Sequence, residues 1–226
     1  MDINFKTIKI MNTTLRKELP IIALVLLPFI YLFFIWNKLP DIVPTHFNFK
    51  GEADAWGSKY TLIYMLILLP VLTYVLMLVI PKIDPKKRLQ LMGGKFYQLK
   101  FILVALMSII ALFILYISKN QTISNPNFIA ILTGVLFMAL GNYFKVIKQN
   151  YFIGIKTPWA LENEEVWNKT HRLAGKLWII GGLLIVIVNL TVPEPFNYYA
   201  FLTIAGVLVI VPTVYSYVFY KQLNLS

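Results

Sequence analysis

Six stretches of this chain contain no Asp, Glu, Lys or Arg, and each runs for roughly the 17–25 residues that a bilayer-crossing helix needs. They are Leu19–Trp36, Tyr60–Ile80, Phe101–Ile117, Phe128–Phe144, Leu177–Val192 and Tyr198–Tyr220. One such run could be a buried core helix. Six in succession, separated by short polar joints, predict an all-α polytopic membrane protein: a six-transmembrane-helix bundle forming a single integral membrane domain over residues 1–226. The composition agrees, because 58% of residues are hydrophobic and 14% charged, against about 45–50% and about 25% in soluble domains.

The first run is preceded by Lys6, Lys9, Arg16 and Lys17, as a signal peptide would be. At 18 residues it is longer than an h-region, and Ile35, Trp36 and Asn37 stand where small cleavage-site residues belong. It is expected to remain as the first span. The 21 basic residues fall unevenly, 17 on one alternate side and 4 on the other, so the positive-inside rule puts both termini in the cytoplasm. This bias and contact with lipid headgroups account for the net charge of +11. No direct nucleic-acid binding is expected, and the run Pro85–Arg88 is read as a topology determinant. The absence of cysteine excludes disulfides, thiolate metal sites and a cysteine nucleophile.

Function has to be sought in three joints: an outer loop at residues 37–59, a cytoplasmic loop at 81–100 that holds the Gly93-Gly94 pair, and a second cytoplasmic loop at 145–176. The spans contain no Asp, Glu, Lys, Arg or His, which disfavours ion-coupled transport and intramembrane hydrolysis. Pro28, Pro70 and Pro212 each remove a backbone donor and can kink a span, a loss that neighbouring helices can absorb. Asn189 is expected to form a helix–helix hydrogen bond.

In the outer loop, Thr45, Phe47 and Phe49 alternate with His46 and Asn48, a period of two that predicts a short strand. Lys50, Gly51 and Glu52 read as a turn, Trp56 as an interfacial anchor and Ser58 as the cap of the second span. His46, Glu52 and Asp54 could form a hydrogen-bonded loop core or, with an open position, hold a metal, although the ligand set is small. No metal and no cofactor are expected. The other histidine, His171, is expected on the opposite side of the membrane, so the two cannot form a dyad.

In the inner loop, Gly154 permits a turn before Ile155–Leu161, and Thr157 with Pro158 can start a short helical turn bearing Trp159. Asn163 is a second cap, with Glu164 and Glu165 in the first turn behind it. Val166, Thr170, Leu173, Ala174 and Leu177 share one face. This predicts an amphipathic helix along the cytoplasmic surface that runs into span five. Trp167 and His171 lie one turn apart. They can form an anchor in which the histidine bonds a neighbouring loop, or a docking surface; catalysis by a lone histidine lacks a nucleophile nearby.

At these residues the chain resembles the SdpI family of bacterial membrane immunity proteins. Asn150, Gly154, Thr157, Pro158, Trp159, Leu161, Trp167, Thr170, His171 and Arg172 fall on motif positions, and Lys156 stands where the family more often has arginine. The stretch Leu39–Lys59 resembles the domain of unknown function often found ahead of that motif. The resemblance implies a non-enzymatic cell-membrane protein that protects its cell from a secreted toxic peptide. It also implies signalling by sequestering a cytoplasmic transcriptional repressor. Peptide contact would fall on the outer loop, at Pro44, His46, Phe47, Gly51, Asp54, Trp56 and Lys59, with Asp41, Phe49 and Glu52 beside them. The inner motif residues would meet the repressor. The alternative is a small transporter or peptide-efflux component, and on either reading the lipid bilayer is the first partner.

Overall fold

The computed structural model describes residues 5–48, 52–121 and 127–225, with side chains from 16 to 223 within those ranges. Helix α1 (Phe5–Ile35) leads into a 3-10 turn and an antiparallel hairpin of β1 (Ile42–Phe47) and β2 (Ala53–Ser58). Helices α2 (Thr61–Leu66) and α3 (Leu72–Ile83) are joined by one π-helical segment, Ile67–Val71, and α4 covers Gly94–Asn120. Then come α5 (Phe128–Phe144), the single turn α6 (Pro158–Glu162), α7 (Glu164–Thr191) and α8 (Phe196–Leu225). Among the described residues, five helical stretches are long and apolar enough to cross a membrane: Arg16–Lys38, Thr61–Ile83, Gly94–Asn120, Glu164–Thr191 and Phe196–Leu223. The remaining expected span, α5, is apolar but has only 17 residues.

The contacts divide the chain into two compact units, residues 1–75 with 103–124 and residues 76–102 with 125–226. In the first, Leu32, Ile35, Leu39, Val43, Leu62, Leu66, Ala111 and Leu115 form one buried cluster that joins the end of α1 to β1, α2 and the second half of α4. The sequence predicts β1 but not its partner. Ala53-Asp54-Ala55-Trp56-Gly57-Ser58 has none of the β-branched residues that mark a strand, and pairing with β1 overrides that deficit. Gly57 fits there closely, because a Cβ would sit 2.9 Å from Thr45 Cγ2 across the hairpin and displace that side chain. Ser58 does not cap a helix. Its hydroxyl accepts from Tyr60 N at 3.4 Å, and α2 starts at Thr61 without a side-chain cap.

In the second unit α5 and α7 run antiparallel at backbone contact. Gly134 and Gly141 on α5 meet Gly182 and Gly175 on α7. A Cβ on Gly182 would lie 2.5 Å from Gly134 O, and one on Gly141 would lie 2.9 Å from Gly175 O. Within lipid, where apolar surface gives helices no preference for one another, such close approach of backbones is a main source of attraction.

Pro212 in α8 illustrates how this unit satisfies a broken helix ladder. Lacking an N–H, it leaves the carbonyl of Leu208 without its helical donor. Trp178 Nε1 on α7 donates to that carbonyl at 2.9 Å. Asn189, by contrast, stays within its own helix and donates to Ile185 O at 2.9 Å, instead of bonding a second helix. The amphipathic segment after Asn163 runs into the expected fifth span, as the sequence predicts. Glu164 to Thr191 is one unbroken helix, since neither proline nor cap separates its charged first half from its apolar second half.

Two outcomes follow. Gly182→Leu should destabilise the folded protein in detergent by about 2 kcal/mol, the cost of overpacking a tight contact, whereas Gly206→Ala, whose Cβ meets nothing within 4 Å, should leave thermal unfolding unchanged or slightly raised. Trp178→Phe should cost about 1–2 kcal/mol by orphaning the Leu208 carbonyl. In a Pro212→Ala background, where a backbone N–H is restored, that cost should shrink, as a double-mutant cycle of unfolding would show.

Candidate functional site

The inner motif folds around Asn150, which is fully buried. Its Oδ1 accepts the N–H groups of Phe152 and Ile153, both at 2.8 Å, and its Nδ2 donates to the carbonyls of Lys148 and Ile153. One side chain thereby satisfies four backbone groups of a loop that has no ladder of its own. Gly154 follows at φ +118°, a conformation that residues with a Cβ rarely adopt, and a Cβ there would lie 2.5 Å from His171 Nε2. The loop is therefore pressed against His171.

His171 is buried and bonded through both ring nitrogens. Nδ1 lies 2.8 Å from the carbonyl of Trp167, and Nε2 accepts the N–H of Ile155 at 3.0 Å. A carbonyl must receive a proton and a backbone N–H must give one, so the ring is the neutral tautomer with its proton on Nδ1. The ring stacks on Trp167 at 4.0 Å and meets Phe144 edge-on at 5.4 Å. Trp167, also fully buried, donates Nε1–H to Ile147 O at 2.9 Å. With both nitrogens committed and no exposure, His171 is an architectural histidine, the loop-bonding option left open by the sequence.

The next residues of the motif point to α8. Thr157 stands at the cap position of α6, but its hydroxyl makes no cap bond and lies 3.2 Å from Ser216 Oγ. Trp159 Nε1 donates to the same oxygen at 2.6 Å, and its ring lies 5.1 Å from that of Tyr217. Pro158 occupies the first turn of α6 as expected. Asn163 caps α7, accepting from Glu165 N at 2.8 Å and Val166 N at 3.1 Å. Thr170 is buried and its hydroxyl has no hydrogen-bond partner. Lys156, Pro158 and Arg172 are the exposed motif residues, while Gly154, Thr157, Trp159 and Leu161 are half-buried.

Two residues that sequence reasoning passed over complete the site. Gln149, 4% exposed, donates to the carbonyls of Ala160 and Leu161 and accepts Lys86 Nζ at 3.1 Å and Arg88 Nη1 at 3.0 Å. Asp84, 2% exposed, accepts from Leu89 N and Lys86 N and so shapes the loop that carries those two cations. Arg88 also pairs with Glu164 at 3.1 Å. A charged residue inside an apolar-flanked basic loop was the available signal for Asp84; Gln149 offered none.

In the hairpin, His46 Nδ1 lies 2.5 Å from Asp54 Oδ1, with both side chains well exposed. Glu52 turns instead to Asn48, accepting its Nδ2–H at 2.8 Å. The three do not converge, and among the described residues no third metal-ligating group joins the histidine–carboxylate pair. Lys59 pairs with Asp41 at 2.9 Å and lies over the Trp36 ring. Trp56 is exposed and Phe47 half-buried, but Pro44 is buried and faces inward. Phe49, Lys50 and Gly51 lie outside the described residues.

Asn150→Ala should unfold the loop rather than merely weaken it, at a cost of about 3 kcal/mol, because buried backbone groups lose their partners. Protease cleavage between residues 151 and 157 in membrane vesicles should rise, while Lys156→Ala should leave it unchanged.

The comparisons with known proteins fit these two regions. The SdpI/YfhL protein family model matches residues 146–216, and the Domain of unknown function (DUF1648) model matches residues 23–73. The chain is similar to Immunity protein SdpI of Bacillus subtilis (strain 168), at 27% identity over 214 residues, covering 93% of this chain and 99% of that protein. No solved structure matches it. The SdpI/YfhL segment, the DUF1648 segment ahead of it and a similarity continuing through nearly the whole length mark this chain as a helical, multi-pass cell-membrane protein similar to the SdpI family.

Proposed function

We propose that this protein is a non-enzymatic immunity protein that protects its cell from a membrane-active toxic peptide. The observation that carries the reading is the end-to-end similarity to a protein named for immunity, 93% of one chain against 99% of the other. The hairpin supplies a physical means. It presents Trp56 and the carboxylates of Asp54 and Asp41 at the surface, a combination of aromatic and acidic groups suited to an amphipathic cationic peptide. With six spans and both termini in the cytoplasm, as the charge asymmetry favours, this hairpin faces outward.

On the inner side the same reading gives signalling by repressor capture. A partner would meet Lys156, Pro158 and Arg172, since Asn150, Trp167, Thr170 and His171 are interior. Trp167 therefore serves such a partner by holding the loop in shape, not by touching it.

Cells lacking the gene should be more sensitive than complemented cells to a panel of secreted amphipathic peptides; equal sensitivity across the panel would reject protection. Trp56→Ala combined with Asp54→Asn should lower protection about tenfold or more at unchanged protein level, the effect expected for loss of an aromatic anchor.

A further inference from the structure

Beside the motif lies a concave site with a different chemistry. Phe144, Lys145, Asn168, Arg172 and Lys176 line a cavity of about 410 Å³, within the size range of ligand pockets, about 300–1,000 Å³. Asn168, Arg172 and Lys176 are successive residues at a spacing of four on α7, so they stand on one face of the helix. Lys145 comes from the end of α5. The glycine contact explains why it is there: Gly141, one turn before Lys145, touches Gly175, the residue before Lys176. Backbone contact between the two helices thus brings a third cation to the lining of the same cavity.

That arrangement is unfavourable when empty. Like charges one helical turn apart repel, and among the described residues none of Lys145, Arg172 and Lys176 has an acidic or aromatic partner. Several neighbouring cations are partnered: Arg88 pairs with Glu164, Lys86 bonds Gln149, and Lys169 and Lys221 lie over the rings of Phe219 and Tyr217. The floor is Phe144, whose ring is fixed against His171 and Trp178. The site also marks the level where α7 changes character, since the charged residues of that helix end at Lys176 and none follows through Thr191. In a membrane helix that level is the headgroup region, and basic pockets between helices at that depth take phospholipid headgroups.

We propose that this pocket binds the phosphate of an anionic phospholipid, with Arg172 offering its planar fork to two phosphate oxygens, Lys145 and Lys176 neutralising the charge and Asn168 donating from the side. The site is independent of the immunity reading, because it rests on the α5–α7 contact and the unpaired cations alone. A phosphate group free in solution would satisfy the same cations, and the position at the polar–apolar boundary favours the lipid.

The test uses the full-length protein in nonionic detergent, with phosphatidylglycerol, phosphatidylcholine and inorganic phosphate added separately and bound species counted by native mass spectrometry. The wild type should retain phosphatidylglycerol in preference to phosphatidylcholine, with affinity falling about fivefold for each cation removed in Arg172→Gln and in Lys145→Gln/Arg172→Gln/Lys176→Gln. A control with equal charge loss, Lys82→Gln/Lys169→Gln/Lys221→Gln, should keep the wild-type preference. Undiminished preference in Arg172→Gln and the triple variant would overturn the proposal, as would an equal loss in the control. Inorganic phosphate that binds the pocket and displaces no phosphatidylglycerol, or binds while the lipid does not, would overturn the lipid assignment in favour of a soluble phosphate ligand. If the triple variant does not fold, Arg172→Gln alone decides.

Discussion

The backbone contact between α5 and α7 is the interaction on which the second unit depends. Four glycines remove every side chain between Gly134 and Gly182 and between Gly141 and Gly175, so the two helices approach until carbonyl oxygens are the nearest neighbours. Phe144, at the end of α5, is then placed between Trp178 and His171, at ring distances of 4.6 and 5.4 Å. His171 fixes Ile155 and closes against Gly154, and Asn150 shapes the turn between them. The motif therefore acts as a clasp whose hinge lies in the helix pair below it.

Several polar side chains in the unit complete backbone groups that the helices and loops leave unpaired. Asn150 answers four groups, Gln149 joins two carbonyls to two cations, and Trp178 supplies the donor that Pro212 withholds. A chain with few polar residues at membrane level depends on such multiple use, because an unsatisfied peptide group in an apolar surrounding costs several kcal/mol. This explains why the motif reads as unusual in sequence: asparagine, glycine, tryptophan and histidine are each chosen for a bond or a clearance that no common substitute supplies.

Much of the helical architecture was legible because absence of charge over some twenty residues has few structural meanings. The first strand, the proline at the start of α6 and the Asn163 cap were legible for local reasons of period and capping chemistry. The second strand was not, since Ala53–Ser58 acquires its conformation from pairing. The glycine pairs were not, because a glycine seven residues from another in an apolar run gains meaning only once the partner helix is known. For the site, the spacing of His171 from Trp167 and the lack of a nucleophile disfavoured catalysis but left loop bonding and docking both open, and the bonds to Ile155 and Trp167 decide for the first. What sequence could not provide was that Trp167 faces inward while Arg172, one residue past His171, faces out with Lys145 and Lys176.

The length of α5 has a consequence for the surrounding lipid. Seventeen residues span about 25 Å, several ångströms less than the roughly 30 Å hydrocarbon layer. Its glycine contacts tie it to α7, so it cannot lengthen its apolar stretch by sliding. A bilayer crossed by a helix of this length would thin around it or be met by snorkelling flanking residues, drawing the headgroup plane toward Lys145. The protein would then prefer thin or deformable patches of membrane, and the mechanical state of the lipid would bear on where in the cell it resides.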